Sequence, residues 1–353
     1  MSEPIDQSAA RNAALLDALR SWNARDRCLD AQLPWRSLPA RANTLWEYNS
    51  ADSGLDGVAE IAAAGTPSDA VFSADDPGAL WGALQRDSLD LRWNGDLRAA
   101  ERTLDRWIGR VAGDLGPDDE WETSLSVTMP ARDSAIAIPL LARGFAVVGV
   151  GAIRIGGHGA DPHAAGADTA DADTFETRLR SSGITIRRAT LADVPVLAAM
   201  DRELLEHDAQ HGHVTVRPAA VAHLAAGIEH RLRRDPEWTW MLESDADADA
   251  DAHSESGGAP VGYLSIEVDR DEHLSQCAPG SRVGHIQAMY LRPGVRGSGI
   301  GESVVSFAQA TLEAAGVGRI LLDYAALNPR SGPFWCRMGY RPLWHHWQRR
   351  PAM

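Results

Sequence analysis

The sequence predicts an α/β (α+β) protein with two domains, each containing a mixed β-sheet flanked by helices. Short apolar runs with a period of two, typical of strands, alternate along the chain with segments whose apolar residues recur at helical spacing. The length of 353 residues is enough for two ordinary domains, each with its own core. A stretch of low complexity near the middle of the chain separates two such halves.

The composition is that of a globular protein, with 44% hydrophobic and 24% charged residues. No run of eighteen apolar residues predicts a membrane span, and the polar, acidic N-terminus lacks the order of a secretory signal. Three widely spaced cysteines predict neither a disulfide framework nor a zinc site, and we predict no metal site. We therefore expect a cytoplasmic protein without a membrane partner.

The formal net charge is −15, and all 34 cationic side chains are arginine, because the sequence contains no lysine. An acidic surface repels the phosphate backbone of nucleic acids, so we predict no nucleic-acid partner. The same surface favours a cationic substrate such as an amine. The oligomeric state does not follow from the sequence.

Two segments of low complexity interrupt the pattern of elements. Residues 156–183 are rich in Gly, Ala and Asp and cannot bury enough apolar surface to offset chain entropy, which predicts a flexible linker. Residues 244–258 repeat Asp-Ala between two alternating apolar runs, which predicts an acidic insertion at the tip of a hairpin. The predicted domains are therefore residues 1–155 and 184–353.

The predicted elements follow from apolar periodicity. In the N-terminal half, helices are predicted at 9–24 and 97–111, and residues 123–155 give a strand, a turn, a short helix, a Gly-aromatic pair and a strand. In the C-terminal half, strands are predicted at 184–190, on both sides of the acidic insertion, and at 283–291, 318–327 and 340–348, with helices at 193–207, 217–234, 299–315 and 333–338.

The two halves end with the same order of elements. The pair Gly144-Phe145 in the first half corresponds to Gly339-Tyr340 in the second, at a separation of 195 residues. This correspondence favours a diverged internal duplication over the alternative, a chance similarity between two αβ units.

A basic, glycine-rich loop stands between the predicted strand 283–291 and the predicted helix 299–315. Its residues are Arg296, Gly297, Ser298, Gly299, Ile300 and Gly301. Glycines permit positive φ angles and a close approach of backbone N–H groups to an anion, while a helix N-terminus and an arginine favour negative charge. The loop therefore predicts a pyrophosphate site, with a simple tight connection as the alternative. It matches neither the Walker nor the Rossmann motif.

Together with later residues, this loop resembles the GNAT superfamily of acyl-CoA-dependent N-acetyltransferases. The superfamily's pyrophosphate motif is Gln or Arg, two residues, Gly, one residue, and Gly or Ala. Its later element is an Asn, a Tyr seven residues on, and a Gly-aromatic pair. The matching positions are Arg296, Gly299, Gly301, Asn328, Gly339 and Tyr340. Trp335 departs from the pattern, since it stands where the superfamily has Tyr.

The resemblance implies a GNAT fold for residues 184–353 and acetyl-CoA as cosubstrate. Because the N-terminal half has no comparable loop, the resemblance also implies that residues 1–155 are a degenerate GNAT-like repeat in a tandem protein. The strand before the loop would pair with pantetheine, the loop would hold the pyrophosphate and Asn328 would approach the CoA arm. The implied cofactor-binding residues are Met289, Tyr290, Leu291, Val295, Arg296, Gly297, Ser298, Gly299, Ile300, Gly301, Glu302, Asn328 and Trp335.

Acyl transfer to an amine requires a proton acceptor for the ammonium form and is helped by a proton donor to the CoA thiolate. The superfamily's usual acid is the Tyr that Trp335 replaces, so Tyr324 or water is the expected substitute. We expect His285, on the strand before the loop, to be the base, because histidine titrates nearest neutrality. Glu267, on the preceding strand, is the second candidate.

The predicted function is transfer of an acetyl group from acetyl-CoA to a primary amine of a small molecule or peptide. The alternatives are a non-catalytic acyl-CoA-binding regulatory module, which Trp335 motivates, and transfer of a longer acyl group. A polar cluster is interpreted as part of the substrate-binding loops rather than as a metal site. Its members are Glu206, His207, Asp208, His211 and His213.

Overall fold

A computed structural model describes residues 4–37, 41–48, 60–114, 120–156, 172–212, 214–244, 258–268 and 282–352. The chain forms two compact units, one comprising residues 1–150 and 342–353 and the other residues 151–341. Each unit contains a mixed sheet flanked by helices, which confirms the predicted α/β class. Within these described ranges, the helices are too short or too polar to cross a membrane.

Among the residues that the structure describes, the N-terminal unit contains five strands, the first residues of a sixth and three α-helices. The strands are β1 (Leu45–Tyr48), β2 (Ile61–Val71), β3 (Gln85–Trp93), β4 (Thr123–Pro130) and, from the end of the chain, β11 (Arg341–Arg349). The helices are α1 (Pro4–Leu29), α2 (Leu97–Asp114) and α3 (Ala137–Ala142). The strand order is β1-β2-β3-β4-β11, in which β3 and β4 are parallel and the other neighbours antiparallel.

The spacing of apolar residues in α2 explains how this unit is packed. Ala100, Leu104, Trp107 and Val111 lie three or four residues apart and therefore share one face of the helix. All four are buried in a core that the strand residues of β3 and β4 complete.

The C-terminal unit contains the remaining elements. Its strands are β5 (Ala146–Ile155, from Gly151), β6 (Ile184–Arg188), β7 (Thr239–Ser244), β8 (Ala259–Val268), β9 (Arg282–Leu291) and β10 (Val317–Ala325). Its helices are α4 (Ala172–Ser181), α5 (Val194–Ala209), α6 (Ala220–Arg234), α7 (Ile300–Ala314) and α8 (Ser331–Arg337). The strand order is β5-β10-β9-β8-β7-β6, in which β9 and β10 are parallel. Helices α4 and α7 pack on one face of this sheet, and α5 and α6 on the other.

Strands β9 and β10 are paired over only part of their length. Their register runs from Val317 and Arg282 to Leu322 and Ile286, after which both strands continue. On the other side of β9, Ile266 pairs with Ile286 but Ser265 pairs with Ala288, so Gln287 is the extra residue of a β-bulge. A bulge bends its strand, and this one lies at the point where β9 leaves β10.

The short helices α3 and α8 end in the same way. The N–H of Phe145 donates to the carbonyl of Leu140 (3.1 Å), and the N–H of Tyr340 donates to the carbonyl of Trp335 (3.0 Å). The preceding glycines, Gly144 and Gly339, have φ angles of 80° and 86°. This left-handed glycine followed by a long backbone bond is the Schellman ending of a helix. The two donor residues are 195 residues apart, and so are the two acceptor residues, which is the separation of the two Gly-aromatic pairs.

The predicted linker is wrong at its C-terminal end. Residues 172–181 form α4, in which Phe175 and Leu179 lie four residues apart and face the core beside α7. This narrow apolar stripe is sufficient to hold the helix in place, because α4 packs against the core beside α7. Residues 157–171 of the predicted linker lie outside the described residues. The hairpin is confirmed by the pairing of Ser244 with Ala259, and residues 245–257 of the acidic insertion are outside the described residues.

Candidate active site

A cleft of about 920 Å³ opens in the C-terminal unit where β9 and β10 separate. Its walls are the ends of these two strands, the last turns of α5, the loop before α7, and the segment that leads into α8. Parallel strands that separate expose backbone groups that a continuous sheet would pair. The cleft can therefore accept an extended ligand alongside β9.

The loop between β9 and α7 forms one end of the cleft. Gly297 and Gly299 adopt φ angles of +83° and +87°, which favour glycine, and Gly299 is the N-cap of α7 without a side-chain cap. The first N–H groups of a helix have no carbonyl partner within the helix, and they carry its positive dipole end. Gly297, Gly299 and Gly301 all line the cleft.

The cleft is lined by three arginines as well as by three carboxylates, those of Asp208, Glu302 and Asp323. Arg296, Arg330 and Arg337 line the cleft, although the protein carries a net charge of −15. The Nε–H of Arg296 donates to the carbonyl of Leu291 (2.6 Å), and its guanidinium lies over the ring of Tyr290. These contacts hold one cation beside the helix N-terminus. The arrangement suits a ligand with several negative charges.

The space above two glycines of this loop is open. A Cβ added at Gly297 or Gly299 would meet no heavy atom within 4 Å, so the space above both residues is open. A Cβ at Gly301 would lie 3.6 Å from Leu291 and Phe334, which line the same cleft. Side chains at Gly297 and Gly299 would project into this open space, whereas one at Gly301 would contact Leu291 and Phe334.

Most of the predicted cofactor-binding residues line the cleft, and the others lie in the loop behind the cleft wall. Those that line the cleft are Met289, Tyr290, Leu291, Arg296, Gly297, Gly299, Gly301, Glu302, Asn328 and Trp335. Val295 and Ile300 pack in the core instead, and the hydroxyl of Ser298 donates to the carbonyl of Val295 (2.9 Å). These three positions contribute through the backbone and the shape of the loop.

Trp335 is 8% exposed and is part of the core, where its ring packs edge-on against Phe334 and Tyr340. Tyr324 lines the cleft on β10, and burial raises the pKa of its phenol, with a smaller effect from Cys336. Tyr324 therefore stays protonated at neutral pH and can donate a hydrogen bond into the cleft.

The two predicted bases lie beside the cleft rather than on its wall. The Nε2 atom of His285 lies 3.2 Å from the carboxylate of Asp323, which lines the cleft. Glu267 accepts hydrogen bonds from Arg234 (3.2 Å) and from the side-chain amide of Gln287. Both candidates are thus occupied by neighbouring polar groups, because β8 and β9 place them on the sheet face that α6 covers.

The sequence interpretation missed the imidazole that does line the cleft. His207 lies in the last turn of α5, its ring edge-on to that of His211 at 5.2 Å. Glu206, on the same helix, bonds to Arg202 (2.8 Å), and His213 lies outside the described residues. The helical spacing of Leu204 and His207, three residues apart on the face that carries the cleft, was the available signal.

The N-terminal unit has a strand-to-helix connection of the same kind, but it is closed. Only residues 94–96 join β3 to α2, whereas residues 292–299 join β9 to α7. The carboxylate of Asp96 accepts hydrogen bonds from the N–H groups of Arg98 (3.0 Å) and Ala99 (3.3 Å). Because a carboxylate already occupies this helix N-terminus, an additional anion would be repelled.

Comparisons with known proteins agree with the sequence resemblance. Residues 222–340 match the model of the acetyltransferase (GNAT) family, which confirms the resemblance for this segment. The chain matches no curated protein.

Similar solved structures include three N-acetyltransferase-type proteins. A GCN5-related N-acetyltransferase from Sphaerobacter thermophilus is 15% identical, with a TM-score of 0.48 over 84% of this chain and 78% of that one. A glucosamine N-acetyltransferase region of a fungal multi-domain β-N-acetylglucosaminidase is 14% identical, with a TM-score of 0.49 over 82% and 31%. A tandem GNAT protein from the clavulanic acid pathway is 14% identical, with a TM-score of 0.45 over 95% of both chains.

Proposed function

We propose that the C-terminal unit transfers an acetyl group from acetyl-CoA to a primary amine of a small molecule or peptide. One observation carries the proposal: the glycine loop, the start of α7 and the separation of β9 from β10 meet in a single cleft. The match of residues 222–340 to the GNAT family supports acyl transfer as the reaction class.

The groups in the cleft suggest how the cosubstrate would be held. The N–H groups at the start of α7 and the guanidinium of Arg296 would bind the pyrophosphate. The free edge of β9 from Ala288 to Leu291 would pair with the amides of the pantetheine arm. Bound acetyl-CoA supplies a thioester whose carbonyl carbon reacts with the amine.

The remaining groups would handle the amine and the departing sulfur. Asp208 and Asp323 place two carboxylates on the cleft wall, which favours a cationic acceptor. The phenol of Tyr324 would donate a hydrogen bond to the sulfur of the leaving thiolate. Since an ordinary thiol has a pKa of about 8.5, the thiolate does not have to be protonated in order to leave.

We further propose that the N-terminal unit is a degenerate GNAT-like repeat that does not bind CoA. The shared Schellman endings of α3 and α8 support the repeat, and the carboxylate cap of Asp96 supports the loss of the site. This unit would then serve to shape or support its active partner.

Trp335 favours a second candidate, a non-catalytic module that senses acyl-CoA. An indole N–H cannot act as a proton donor at neutral pH, and the buried Trp335 replaces a family tyrosine. Such a module would bind acetyl-CoA without transferring its acyl group.

Thiol release from acetyl-CoA, measured with a panel of amines, separates the two candidates. We expect the rate of thiol release to depend on the amine. Each turnover should add one acetyl group, about 42 Da, to the amine. Tight binding of acetyl-CoA without amine-dependent thiol release would contradict the enzyme and favour the sensor. Faster turnover with longer acyl-CoA donors would mean that the enzyme transfers a longer acyl group, with the rest of the proposed reaction unchanged.

A further inference from the structure

The cleft contains an imidazole to which neither the sequence nor the family match assigns a catalytic role. His207 projects from the last turn of α5 into the cleft, with Leu204 and Asp208 of the same helix beside it. The opposite wall at this level is the segment after β10, which contains Asn328. His207 and Asn328 thus bring an imidazole and a side-chain amide together in the cleft.

A hydrogen bond determines which nitrogen of His207 can accept a proton. The Oδ1 atom of Asn328 accepts from the backbone N–H groups of Arg330 (3.1 Å) and Ser331 (3.3 Å), which orients its amide. The Nδ2 atom of Asn328 therefore faces His207, and it lies 3.4 Å from Nε2. Since Nδ2 is only a donor, Nε2 must carry the lone pair, and the ring proton belongs on Nδ1.

The length of this bond leaves Nε2 open to a better donor. At 3.4 Å it exceeds the usual 2.7–3.2 Å range of N–H hydrogen bonds, so it is weak. An ammonium group entering the cleft would offer a charged donor, which binds about twice as strongly as a neutral one. The substrate can thus replace Asn328 as the partner of Nε2.

The surroundings of His207 keep its ring neutral. Burial lowers the pKa of the imidazole, and electrostatic interactions with His211, Arg296 and Arg330 lower it further. Asp208 acts in the opposite direction. A neutral imidazole at pH 7 is the form that can accept a proton.

We propose that His207 is the proton acceptor for the amine in acyl transfer, an inference that rests on the proposed function. The ammonium group binds with an N–H directed at Nε2, and that proton moves to Nε2. The lone pair released on nitrogen attacks the thioester carbonyl carbon. The C–N bond forms, the C–S bond breaks with both electrons going to sulfur, and the amide loses its remaining extra proton to solvent. His207 then carries one added proton, which it returns to solvent or to the thiolate.

The test compares the full-length wild type with His207→Gln, His207→Ala, the rival variant His285→Gln and one control variant, His230→Gln. Glutamine can still accept the bond from Asn328 but cannot take up a proton. His285→Gln tests the residue first expected to be the base, and His230→Gln changes an exposed histidine of α6 away from the cleft. Each variant is assayed for amine-dependent thiol release, for CoA affinity by calorimetry and for Tm.

We expect His207→Gln to lower kcat/KM by about 10²–10⁴-fold, the usual cost of a lost general base, with unchanged CoA affinity and Tm. The fall of wild-type kcat/KM at acidic pH should be absent from this variant, and added imidazole should restore part of the activity of His207→Ala. The control variant His230→Gln should keep the wild-type pH profile.

The outcomes separate this inference from the proposed function. If the wild type transfers acetyl groups and His207→Gln is equally active, the role of His207 is contradicted and the enzyme stands. A loss of CoA affinity in His207→Gln, or loss of activity in His285→Gln alone, also contradicts it. If the wild type releases no thiol with any amine, the proposed function fails and this inference fails with it.

Discussion

The two strand-to-helix connections, from β3 to α2 and from β9 to α7, differ in what occupies the N-terminus of the helix. In the first, Asp96 caps the helix with its own carboxylate. In the second, Gly299 is the N-cap and provides no side chain. A helix that is capped by a carboxylate cannot also bind a phosphate, whereas an uncapped one gains stability when an anion binds. The same local architecture therefore yields a closed end in one unit and an open site in the other.

The ends of the parallel strands show the same contrast. In the N-terminal unit, the buried guanidinium of Arg92 donates to Asn23 (3.1 Å) and Asp26 (3.3 Å) of α1. Arg25 forms a bidentate pair with Asp133, which also accepts from the indole of Trp93. Side chains of α1 therefore satisfy the polar groups at the end of β3. In the C-terminal unit, the corresponding strand ends line the open cleft.

The largest effect should come from a side chain placed in the open connection. Gly301→Val should weaken CoA binding by at least about 100-fold, because blocking the helix N-terminus removes charged hydrogen bonds of about 1.5–3 kcal/mol each. The helical backbone at Gly301 tolerates valine, so the Tm should change little. Calorimetric titration with CoA measures the effect.

The matched control is Gly109→Val in α2, where a Cβ meets no heavy atom within 4 Å. This variant should bind CoA as the wild type does. Wild-type affinity in Gly301→Val would show that the loop is only a tight connection.

A second effect should appear at a buried carboxylate of the C-terminal unit. Burial raises the pKa of Asp201 from 3.8 to about 6, against the opposing attraction of Arg231, and its carboxyl is bonded to the hydroxyl of Tyr263. A carboxyl with a raised folded-state pKa destabilises the fold as pH rises from about 4 to 6. At pH 7, the free energy of unfolding of Asp201→Asn should therefore exceed that of the wild type by up to about 3 kcal/mol, the value that follows from the pKa difference between folded and unfolded states.

Urea unfolding at a series of pH values checks this prediction. The advantage of Asp201→Asn should disappear near pH 4, where the wild-type carboxyl is protonated in both states. A constant difference between the two proteins across pH 4–8 would mean that packing, rather than ionisation, distinguishes them.

The smallest effect should come from opening the closed connection. Asp96→Ala removes the cap of α2 and should lower the free energy of unfolding by about 0.5–2 kcal/mol, the usual cost of a lost N-cap. Ser298→Ala is the matched change in the other loop. It should alter stability less, because the Ser298 hydroxyl does not cap a helix. A change of CoA affinity in Asp96→Ala would indicate that the N-terminal connection contributes to binding.

Local features of both units could be predicted from the sequence because they depend on neighbouring residues. The Gly-aromatic pairs predicted the same order of elements at the end of both halves, and in the structure both glycines adopt the left-handed conformation that ends a helix. The loop from Arg296 to Gly301 predicted an uncapped helix. These features involve residues within a single turn or loop.

Features that depend on tertiary packing were not predictable in the same way. Helix α4 escaped notice because its composition is that of a linker, although Phe175 and Leu179 supply an apolar stripe. The role of β11 in the N-terminal unit depends on pairing between Trp344 and Pro130, which no local pattern indicates. His207 reaches the cleft only because α5 packs on β8 and β9.

The contrast between the open and closed connections is tested most directly by calorimetric titration of the full-length chain with CoA. A fragment ending at residue 155 would not serve, because the N-terminal unit includes residues 342–353. We predict one CoA bound per chain, with binding lost in Gly301→Val and kept in Asp96→Ala. Two CoA molecules per chain, or undiminished binding by Gly301→Val, would contradict this account.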